Sequence, residues 1–352
     1  MSGVATIELK HGYAISRVIR GGWQLAGGHG PIDRAGAVDD LIAAFDAGIS
    51  TFDCADIYTG VEDLYGEFRA RLRQTRGEGA AAQVRAHTKL VPDLDSLARI
   101  TRADIEGIVD TSLRRLRTEA LDLVQFHWWD YDEPRWLDAL HWLDQLRGKG
   151  KVRNIGGTNF DTAHVAATIE AGIPLLSMQV QYSLLDHRPE SGLADLCRKH
   201  RIALLCYGSV AGGFLSDRWL GAHAPSGALE NRSLVKYKLI IDDFGGWRLF
   251  QQLLATLRRI ADRHASDIAT IASAYVLDRP GVAAVIVGAR SRAHLAANTA
   301  IAGVALDAAD HAAIAAIVAR RAGPTGDVYA LERDRLSQHG AIMKYNLNAK
   351  AS

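Results

Sequence analysis

The chain has 352 residues, a mass of 38.2 kDa and an apolar fraction of 48%, which excludes a disordered protein. Lys and Arg number 41 and Asp and Glu number 40, so the net charge is +1 at pH 7. That balance provides no field for gripping a nucleic acid backbone or an anionic membrane surface. At roughly 150 residues per domain, the length allows two domains or one large α/β barrel.

The sequence carries no signal for export. Its beginning lacks a basic stretch followed by an apolar segment, and no segment approaches about 18 uninterrupted apolar residues. Cys54, Cys197 and Cys206 are far apart and form no CxxC motif, so we expect neither a disulfide framework nor a zinc site. We therefore expect a cytoplasmic protein whose partner is a small molecule, without metal, nucleic acid or membrane; a homo-oligomer remains open.

Short apolar segments alternate along the chain with longer segments of helical period, which predicts βα units on a parallel sheet. The predicted strands are 16–20, 49–53, 83–88, 121–127, 152–156, 175–180, 203–206 and 284–287. Predicted helices include 37–47, 102–117, 134–147, 162–171 and 193–200. Eight such units predict an α/β fold, a (β/α)8 TIM barrel, with a long loop after strand seven and a C-terminal extension. We expect one domain over 1–352, with the barrel at about 14–321 and the tail at 322–352.

A doubly wound nucleotide-binding fold would show the same alternation of strands and helices. It should also carry G-x-G-x-x-G directly after its first strand. The sequence there reads GGWQLAGG over 21–28, which lacks that spacing. The barrel is therefore the preferred prediction.

Polar side chains stand at or just after the ends of the predicted strands, where the reactive groups of a TIM barrel lie. Asp53 and the loop residue Tyr58 follow strand two, Lys89 follows strand three and His127 ends strand four. A Lys ammonium beside a phenol lowers the phenol pKa from about 10, the Asp can hold the Lys, and the His can orient or polarise a carbonyl oxygen. No side chain supplies hydride, so the set suggests carbonyl reduction with a redox cofactor.

Each of these four residues also has a purely structural interpretation. Asp53 could cap a loop, Tyr58 could be a surface aromatic, Lys89 a solvated charge and His127 a buried core imidazole. The combination in this order is what favours a catalytic role.

The four residues lie in the segments DCADIY, HTKL and QFHWW, and their order and spacing resemble the aldo-keto reductase superfamily. Further segments similar to the family are KVRNIGGTNF, MQVQYSLLD, YGSVAGGFLSDR, NRSLVKYKLI and VIVGARSRAHLAANTA. The resemblance covers about residues 14–321 and is greatest to the longer branch that includes bacterial reductases and potassium-channel β-subunits. It implies that Tyr58 is the general acid, that Lys89, paired with Asp53, depresses its pKa, and that His127 positions the substrate oxygen.

The resemblance also implies a site for NADPH or NADP⁺. Thr158, Asn159 and Gln181 match residues that hold the nicotinamide carboxamide, and amide side chains supply both a donor and an acceptor. Tyr207 matches the aromatic that stacks on the nicotinamide. The other residues that the resemblance assigns to the cofactor are Gly22, Trp23, Gly208, Ser209, Val210, Gly212, Phe214, Leu215, Arg218, Arg232, Gly288, Arg290, His294 and Asn298.

Two arginines favour NADP(H) over NAD(H), although NADH remains possible. Arg290 and Arg292 can neutralise a 2′-phosphate, because guanidinium binds phosphate through two parallel hydrogen bonds. No carboxylate stands near them in the sequence to bind a free ribose hydroxyl. His294 and Ala297 depart from the family, which often has Arg or Gln and an acidic residue at these positions.

Aromatic residues indicate where the substrate binds. We expect Trp23, Trp128 and Trp129 to form an apolar mouth with Tyr58, suited to aldehydes, ketones or the apolar faces of sugars. The tail over 323–348 carries four anchors that a solvated tail would not need, so we expect it to fold over the barrel mouth or into a subunit contact. These anchors are Tyr329, Ile342, Met343 and Tyr345.

Two alternative functions stay open at this level. The same four residues, Asp53, Tyr58, Lys89 and His127 (the tetrad), can also catalyse the reaction in the oxidative direction, as in an NAD(P)⁺-dependent sugar or alcohol dehydrogenase. The chain could also be a regulatory subunit that binds the cofactor tightly and turns over slowly, as the resemblance to the channel β-subunits implies.

Overall fold

The computed structural model describes residues 4–27, 32–288 and 292–348. Its strands are β1 (Thr6–Glu8), β2 (Ala14–Ser16), β3 (Val18–Gly21), β4 (Thr51–Asp53), β5 (Arg85–Leu90), β6 (Leu123–Phe126), β7 (Ile155–Thr158), β8 (Leu175–Gln181), β9 (Ala203–Tyr207) and β10 (Val282–Gly288). Strands β3 to β10 are parallel and form a closed barrel in which β10 pairs with β3. The predicted TIM barrel and its eight strands are confirmed.

Helices surround the barrel and link its strands. They are α1 (Arg34–Asp46), α2 (Val61–Arg76), α3 (Glu78–Ala81), α4 (Arg102–Leu116), α5 (Trp136–Gly148), α6 (Thr162–Glu170), α7 (Leu193–Lys199), α8 (Arg232–Phe244), α9 (Gly246–Arg263), α10 (Ile268–Leu277), α11 (Leu295–Ala300), α12 (Ala308–Val318), α13 (Ala330–Arg333) and α14 (Gln338–Ala341). The five predicted helices correspond to α1 and α4 to α7. The long segment after β9 folds into α8, α9 and α10, of which the sequence prediction specified none.

No single helix in the described ranges has the length and apolar character needed to cross a bilayer. The segments 292–303 and 308–318 reach that threshold only when taken together, and a bend of 109° separates them.

A short hairpin of β1 and β2 covers the amino-terminal end of the barrel, and the sequence analysis missed it. The Tyr13 hydroxyl lies 3.1 Å from Nε2 of the buried His87 on β5, and the Ser16 amide donates to the Thr51 hydroxyl at 3.0 Å. Ile15 is fully buried among apolar residues from the starts of the barrel strands. The hairpin thereby seals the end of the barrel opposite the site described below.

The C-terminal tail crosses the other end of the barrel, as one of the two sequence hypotheses expected. Arg333 donates hydrogen bonds to the carbonyl oxygens of Trp128, Trp129 and Asn159 at 2.6, 2.8 and 2.8 Å. Further along, the backbone amides of residues 347 and 348 donate to Asp93 Oδ1 at 2.9 and 3.0 Å. The tail is therefore fixed to the loops that follow β5, β6 and β7.

A buried ion-pair network joins the tail to the barrel. Glu332 is 1% exposed, and its carboxylate lies 2.8 Å from the Arg188 guanidinium and 3.3 Å from Lys236 Nζ on α8. Arg188 also pairs with Asp186 at 2.7 Å. Burial opposes ionisation, but Lys236 and Arg188 outweigh it and hold the pKa of Glu332 below its usual range. Glu332 therefore stays charged inside the protein.

Removing the Glu332 carboxylate should destabilise the protein strongly. Glu332→Ala leaves the buried Arg188 and Lys236 cations without this partner, and breaking a buried pair in this way costs about 3–5 kcal/mol of unfolding free energy. The matched control is Glu67→Ala, because Glu67 and its partner Arg34, at 2.8 Å, are largely exposed. That exposed pair should contribute less than about 1 kcal/mol. Equal losses in urea unfolding would contradict the structural role assigned to Glu332.

Candidate active site

A buried ion pair lies at the carboxyl-terminal end of the barrel. Lys89 Nζ is 2.7 Å from Asp53 Oδ2 and donates a second hydrogen bond to the carbonyl oxygen of Cys54 at 2.9 Å. Asp53 Oδ1 accepts from the side-chain amides of Gln125 and Gln179 at 3.0 and 2.7 Å. Burial is the largest single effect and works against the charge of Lys89, but Asp53, with Tyr58 and Cys54, outweighs it and raises the pKa of the ammonium above its usual value. Lys89 is thus a fixed cation.

Sequence analysis missed Gln125 and Gln179, although a signal was present. Each stands two residues before a predicted site residue on the same strand, Gln125 before His127 and Gln179 before Gln181. Side chains two residues apart on a strand point to the same face. Strand parity with a site residue, together with an amide in an otherwise apolar strand, would have identified both.

Tyr58 lies in the loop after β4, beside the fixed cation. Lys89 Nζ is 4.9 Å from the centre of the Tyr58 ring, and the Trp23 indole packs edge-on against that ring at 5.0 Å. Burial raises the pKa of Tyr58 above its ordinary value, and Lys89 opposes the rise only in part. We expected Lys89 to bring the pKa of Tyr58 below about 10, and this is wrong, because the expectation left out the desolvation of the phenol. Lys89 does lower the pKa, but burial raises it by more.

His127 is a neutral imidazole. Burial is the largest cause that lowers its pKa to about 3, and the nearby Arg333 cation adds to the effect. Its Nδ1 lies 3.1 Å from the carbonyl oxygen of Thr158, which can only accept, so the ring proton must be on Nδ1. The buried Nε2 therefore presents a lone pair and has no hydrogen-bond partner in the described ranges. The ring is held between Trp129 and Tyr329.

The predicted amide clamp comes together at the ends of β7, β8 and β9. The Tyr207 hydroxyl donates to Asn159 Oδ1 at 2.8 Å, which leaves Asn159 Nδ2 as a donor. Gln181 Nε2 donates to Asp186 Oδ2 at 2.6 Å, and this orients Oε1 away from the carboxylate as a buried acceptor without a partner among the described residues. Thr158 is buried beside them. Within 4–27, 32–288 and 292–348, this leaves one donor and one acceptor, which match the two ends of a carboxamide.

The glycine-rich loop after β9 is shaped by a contact with α8. Gly208 and Gly212 have φ angles of +77° and +65°, which L side chains rarely adopt. Tyr237 of α8 occupies the space where a side chain would project: a Cβ on Gly212 would lie 2.7 Å from its ring. These glycines therefore allow α8 to approach the loop, in addition to any approach by a ligand.

Several other predicted cofactor residues have structural duties. The Ser209 hydroxyl lies 2.9 Å from that of Ser273, and Phe214 and Leu215 are fully buried. Only the backbone at these positions can face a ligand; Val210 is partly buried beside them. Arg218 is 72% exposed and lies 3.8 Å from the equally exposed Glu230.

The predicted adenosine end is only partly described. Arg290 lies outside the described residues, exposed His294 ends a short 3-10 turn, and Asn298 is on α11. Arg292 Nε lies 2.9 Å from Asp40 Oδ1 of α1. For Arg292 the expectation that no carboxylate stands near is therefore wrong, because Asp40 is remote in sequence but adjacent in the fold.

Gly22 is a position without room for a side chain, whereas a Cβ on Gly288 would meet the flexible end of Gln24. A Cβ on Gly288 would lie 2.5 Å from Gln24 Cδ, and one on Gly22 would lie 2.7 Å from Val61. The Gly22 amide also donates to the carbonyl oxygen of Asp53 at 2.7 Å. This bond sets the direction in which the following residue, Trp23, enters the site.

One of the three predicted pocket tryptophans does not line the site. Trp128 is fully buried, stacks on Phe126 and donates from Nε1 to the carbonyl oxygen of Asp130 at 2.8 Å. The expectation for Trp128 is wrong, because consecutive residues after a strand point to opposite sides. Trp23 and Trp129 do lie at the site, against Tyr58 and His127.

Lys236, which the sequence analysis did not single out, and the predicted tail anchor Tyr329 complete the mouth. Lys236 Nζ lies 5.5 Å from the centre of the Tyr207 ring and 5.6 Å from that of Tyr329. Tyr329 itself adopts a left-handed backbone conformation, with φ of +62°. The tail thus contributes directly to the walls around His127 and Tyr207. The sequence signal that could have identified Lys236 was a cation between apolar residues of α8.

The two buried imidazoles should make stability depend on pH. The pKa values of His87 and His127 are about 3 when folded, against 6.5 when unfolded, so between these values only the unfolded chain binds the proton. The contribution of the two neutral histidines to the free energy of unfolding is complete above pH 6.5 and is lost as the pH falls towards 3. At pH 5 each should have lost about 2 kcal/mol.

Urea unfolding at pH 7.5 and 5.0 tests this dependence. His87→Asn and His127→Asn should each reduce the difference in unfolding free energy between the two pH values by about 2 kcal/mol. His141→Asn, which replaces an exposed imidazole on α5, should leave it unchanged. A difference that persists in both buried-site variants would refute the assignment.

The chain is similar to known proteins in sequence and in fold. A family model described as "Aldo/keto reductase family" matches residues 17–319. Radial spoke protein 5 of Chlamydomonas reinhardtii is 31% identical over 64% of this chain, but the match covers only 49% of that protein. The NADH-specific methylglyoxal reductase of Escherichia coli is 25% identical over 84% of this chain and 92% of its own length.

A solved structure shows the same fold. An aldo/keto reductase from Klebsiella pneumoniae, crystallised with NADP and acetate, aligns with a TM-score of 0.69 at 22% identity, over 92% of this chain and 98% of that one. The barrel, the buried Asp–Lys pair beside a tyrosine and the family model together assign the activity class, oxidoreductases that act on carbonyl and alcohol groups. The chain belongs to the aldo/keto reductase family.

Proposed function

We propose that the protein reduces an aldehyde or ketone with NADPH and that Tyr58 is the general acid. The observation that carries this proposal is the position of Lys89. It is locked to Asp53 at 2.7 Å and lies 4.9 Å from the Tyr58 ring. A fixed ammonium beside a phenol stabilises the phenolate that remains after the proton has been donated.

The amide clamp fits the proposed cofactor. Gln181 Oε1 and Asn159 Nδ2 offer one acceptor and one donor to a carboxamide, and Tyr207 stands beside them. When bound there, a reduced nicotinamide supplies a hydride. NADP(H) is proposed on the basis of Arg290 and of the NADP-bound Klebsiella structure. NADH remains open, because the Escherichia coli relative is NADH-specific and Asp40 already holds Arg292.

Carbonyl reduction at this site requires one hydride and one proton. The carbonyl carbon gains a hydride, the π electrons move to the oxygen, and the oxygen takes the proton from Tyr58 Oη. Burial keeps the pKa of Tyr58 above its ordinary value, so the phenol carries its proton at neutral pH. Lys89 then faces the phenolate until solvent restores the proton.

Replacing Tyr58 should separate turnover from cofactor binding. Tyr58→Phe should lower kcat by about 10²- to 10⁴-fold, the range for losing a general acid, while the Kd for NADPH stays near that of the wild type. Lys89→Met should also lower kcat. Tyr275→Phe, on α10, serves as the aromatic control and should keep full activity. The assay follows NADPH absorbance with aromatic aldehydes, dicarbonyls and aldoses.

The outcomes of this assay discriminate between the alternatives. Turnover that survives in Tyr58→Phe would contradict the role of Tyr58. Tight NADPH binding without turnover of any carbonyl would favour the oxidative direction or a regulatory subunit.

The three cysteines are free and buried, which is compatible with the proposed cytoplasmic location.

The protonation of His127 favours the oxidative direction as a second candidate. Its Nε2 lone pair accepts a hydrogen bond from a hydroxyl group but cannot donate one to a carbonyl oxygen. An alcohol, or the hydroxyl of a hydroxycarbonyl such as a sugar, is therefore the better partner for His127. Reduction of NADP⁺ by aldoses or polyols at alkaline pH tests this candidate, and the absence of such activity would remove it.

A further inference from the structure

A cavity of about 340 Å³ opens beside Tyr58, between the barrel and the tail. Its walls include Trp23, Ile57 and Thr59 on the barrel side, Arg232 at the start of α8, and Lys344 and Leu347 of the tail. Ile57 and Thr59 flank Tyr58 in sequence, and Trp23 packs against its ring. The volume lies at the small end of ligand pockets, so the cavity suits a small molecule.

The cavity has a cation on each of two walls. Arg232 is half-buried, and its guanidinium carbon lies 5.7 Å from the centre of the Trp23 ring. Lys344 is exposed on the tail. Within the portion of the chain that the structure describes, neither side chain forms an ion pair with a carboxylate.

Nearby carboxylates do not neutralise these two cations. Asp53 is engaged by Lys89. Asp56 is buried and turned away, with its oxygens accepting from the amides of Ile57 and Val91 at 2.8 and 3.0 Å. Asp93, beside the tail, accepts from the amides of residues 347 and 348 at 2.9 and 3.0 Å. Among the described residues, none of these three carboxylates forms an ion pair with Arg232 or Lys344.

The fold fixes the backbone that carries each of the two cations. The side chain of Asn231 accepts from the Leu234 amide at 3.0 Å and caps α8 one residue before Arg232. On the tail, the carbonyl oxygen of Tyr345 accepts from the Leu94 amide at 3.0 Å, directly after Lys344. The cations therefore belong to the wall of the cavity and are not carried on free ends.

We propose that the substrate is a small carbonyl compound, or the corresponding alcohol, that bears a carboxylate or phosphate group, and that Arg232 and Lys344 bind this anion while the reacting carbon lies at Tyr58. This inference rests on the proposed function and reassigns Arg232 from the cofactor to the substrate. A guanidinium suits the two oxygens of such an anion, and the lysine acts as a point charge.

Matched substrate pairs test the proposal and distinguish the two anions. Succinic semialdehyde is compared with butanal, and glyceraldehyde 3-phosphate with glyceraldehyde. In each pair that the enzyme turns over, the KM of the anionic member should be at least about tenfold lower than the KM of the neutral member. Lys344→Ala and Arg232→Ala should each raise that KM about tenfold, with kcat and the neutral substrate little changed. The control is Lys238→Ala, because Lys238 is a half-buried lysine of α8 that pairs with Asp242.

A binding measurement separates this inference from the proposed function. Calorimetric titration of the NADPH-loaded full chain with benzoate, and with benzamide as its neutral analogue, should show that only benzoate binding weakens in the two variants. Benzoate binding that depends on Lys344 in a protein that reduces no carbonyl would overturn the function alone. Turnover with equal KM values for anionic and neutral substrates would overturn the inference alone, as would an Arg232→Ala variant that loses NADPH affinity instead of benzoate affinity.

Discussion

The ion pair between Asp53 and Lys89 is the constraint on which the site depends. Two unlike charges have been removed from water in the middle of a barrel, which is costly unless every polar atom finds a partner. Four strands meet this requirement, since β4 supplies the carboxylate, β5 the ammonium, and β6 and β8 the amides of Gln125 and Gln179. The register of the parallel strands thereby fixes a cation at one point on the barrel axis. Tyr58 acquires its chemical character from lying beside that point.

Local patterns in the sequence were enough to predict the barrel and to select Asp53, Tyr58, Lys89 and His127 as candidates for the site. The strands are short apolar segments, and the tetrad residues stand at or near strand ends, where the fold itself brings them together. What sequence could not give depends on neighbours remote along the chain. Asp40 and Arg292 are 252 residues apart, and Glu332 and Arg188 are 144 apart. The direction of the Tyr58 pKa shift was likewise inaccessible, because it depends on burial that only the packed structure defines.

Trp128 and Trp129 show that the direction of a side chain does not follow from residue type and position in the sequence alone. They are adjacent in sequence, both are buried, and both follow β6 directly, yet Trp128 stacks on Phe126 and Trp129 lies against His127. Arg333 of the tail binds the carbonyl oxygens of both residues and so helps to fix the path of this loop. A segment at the far end of the sequence thus contributes to the conformation of the loop.

The closing of the barrel mouth by the tail has an evolutionary consequence. The groups proposed to carry out the chemistry lie on or next to the barrel strands, where any change disturbs the register of neighbouring strands. Part of the outer wall, by contrast, comes from residues 344 and 347, which belong to no strand and contact the barrel through loops. Mutation in this segment is therefore free to alter which molecules are admitted while the reaction itself is preserved. Selection can therefore act on the two properties separately.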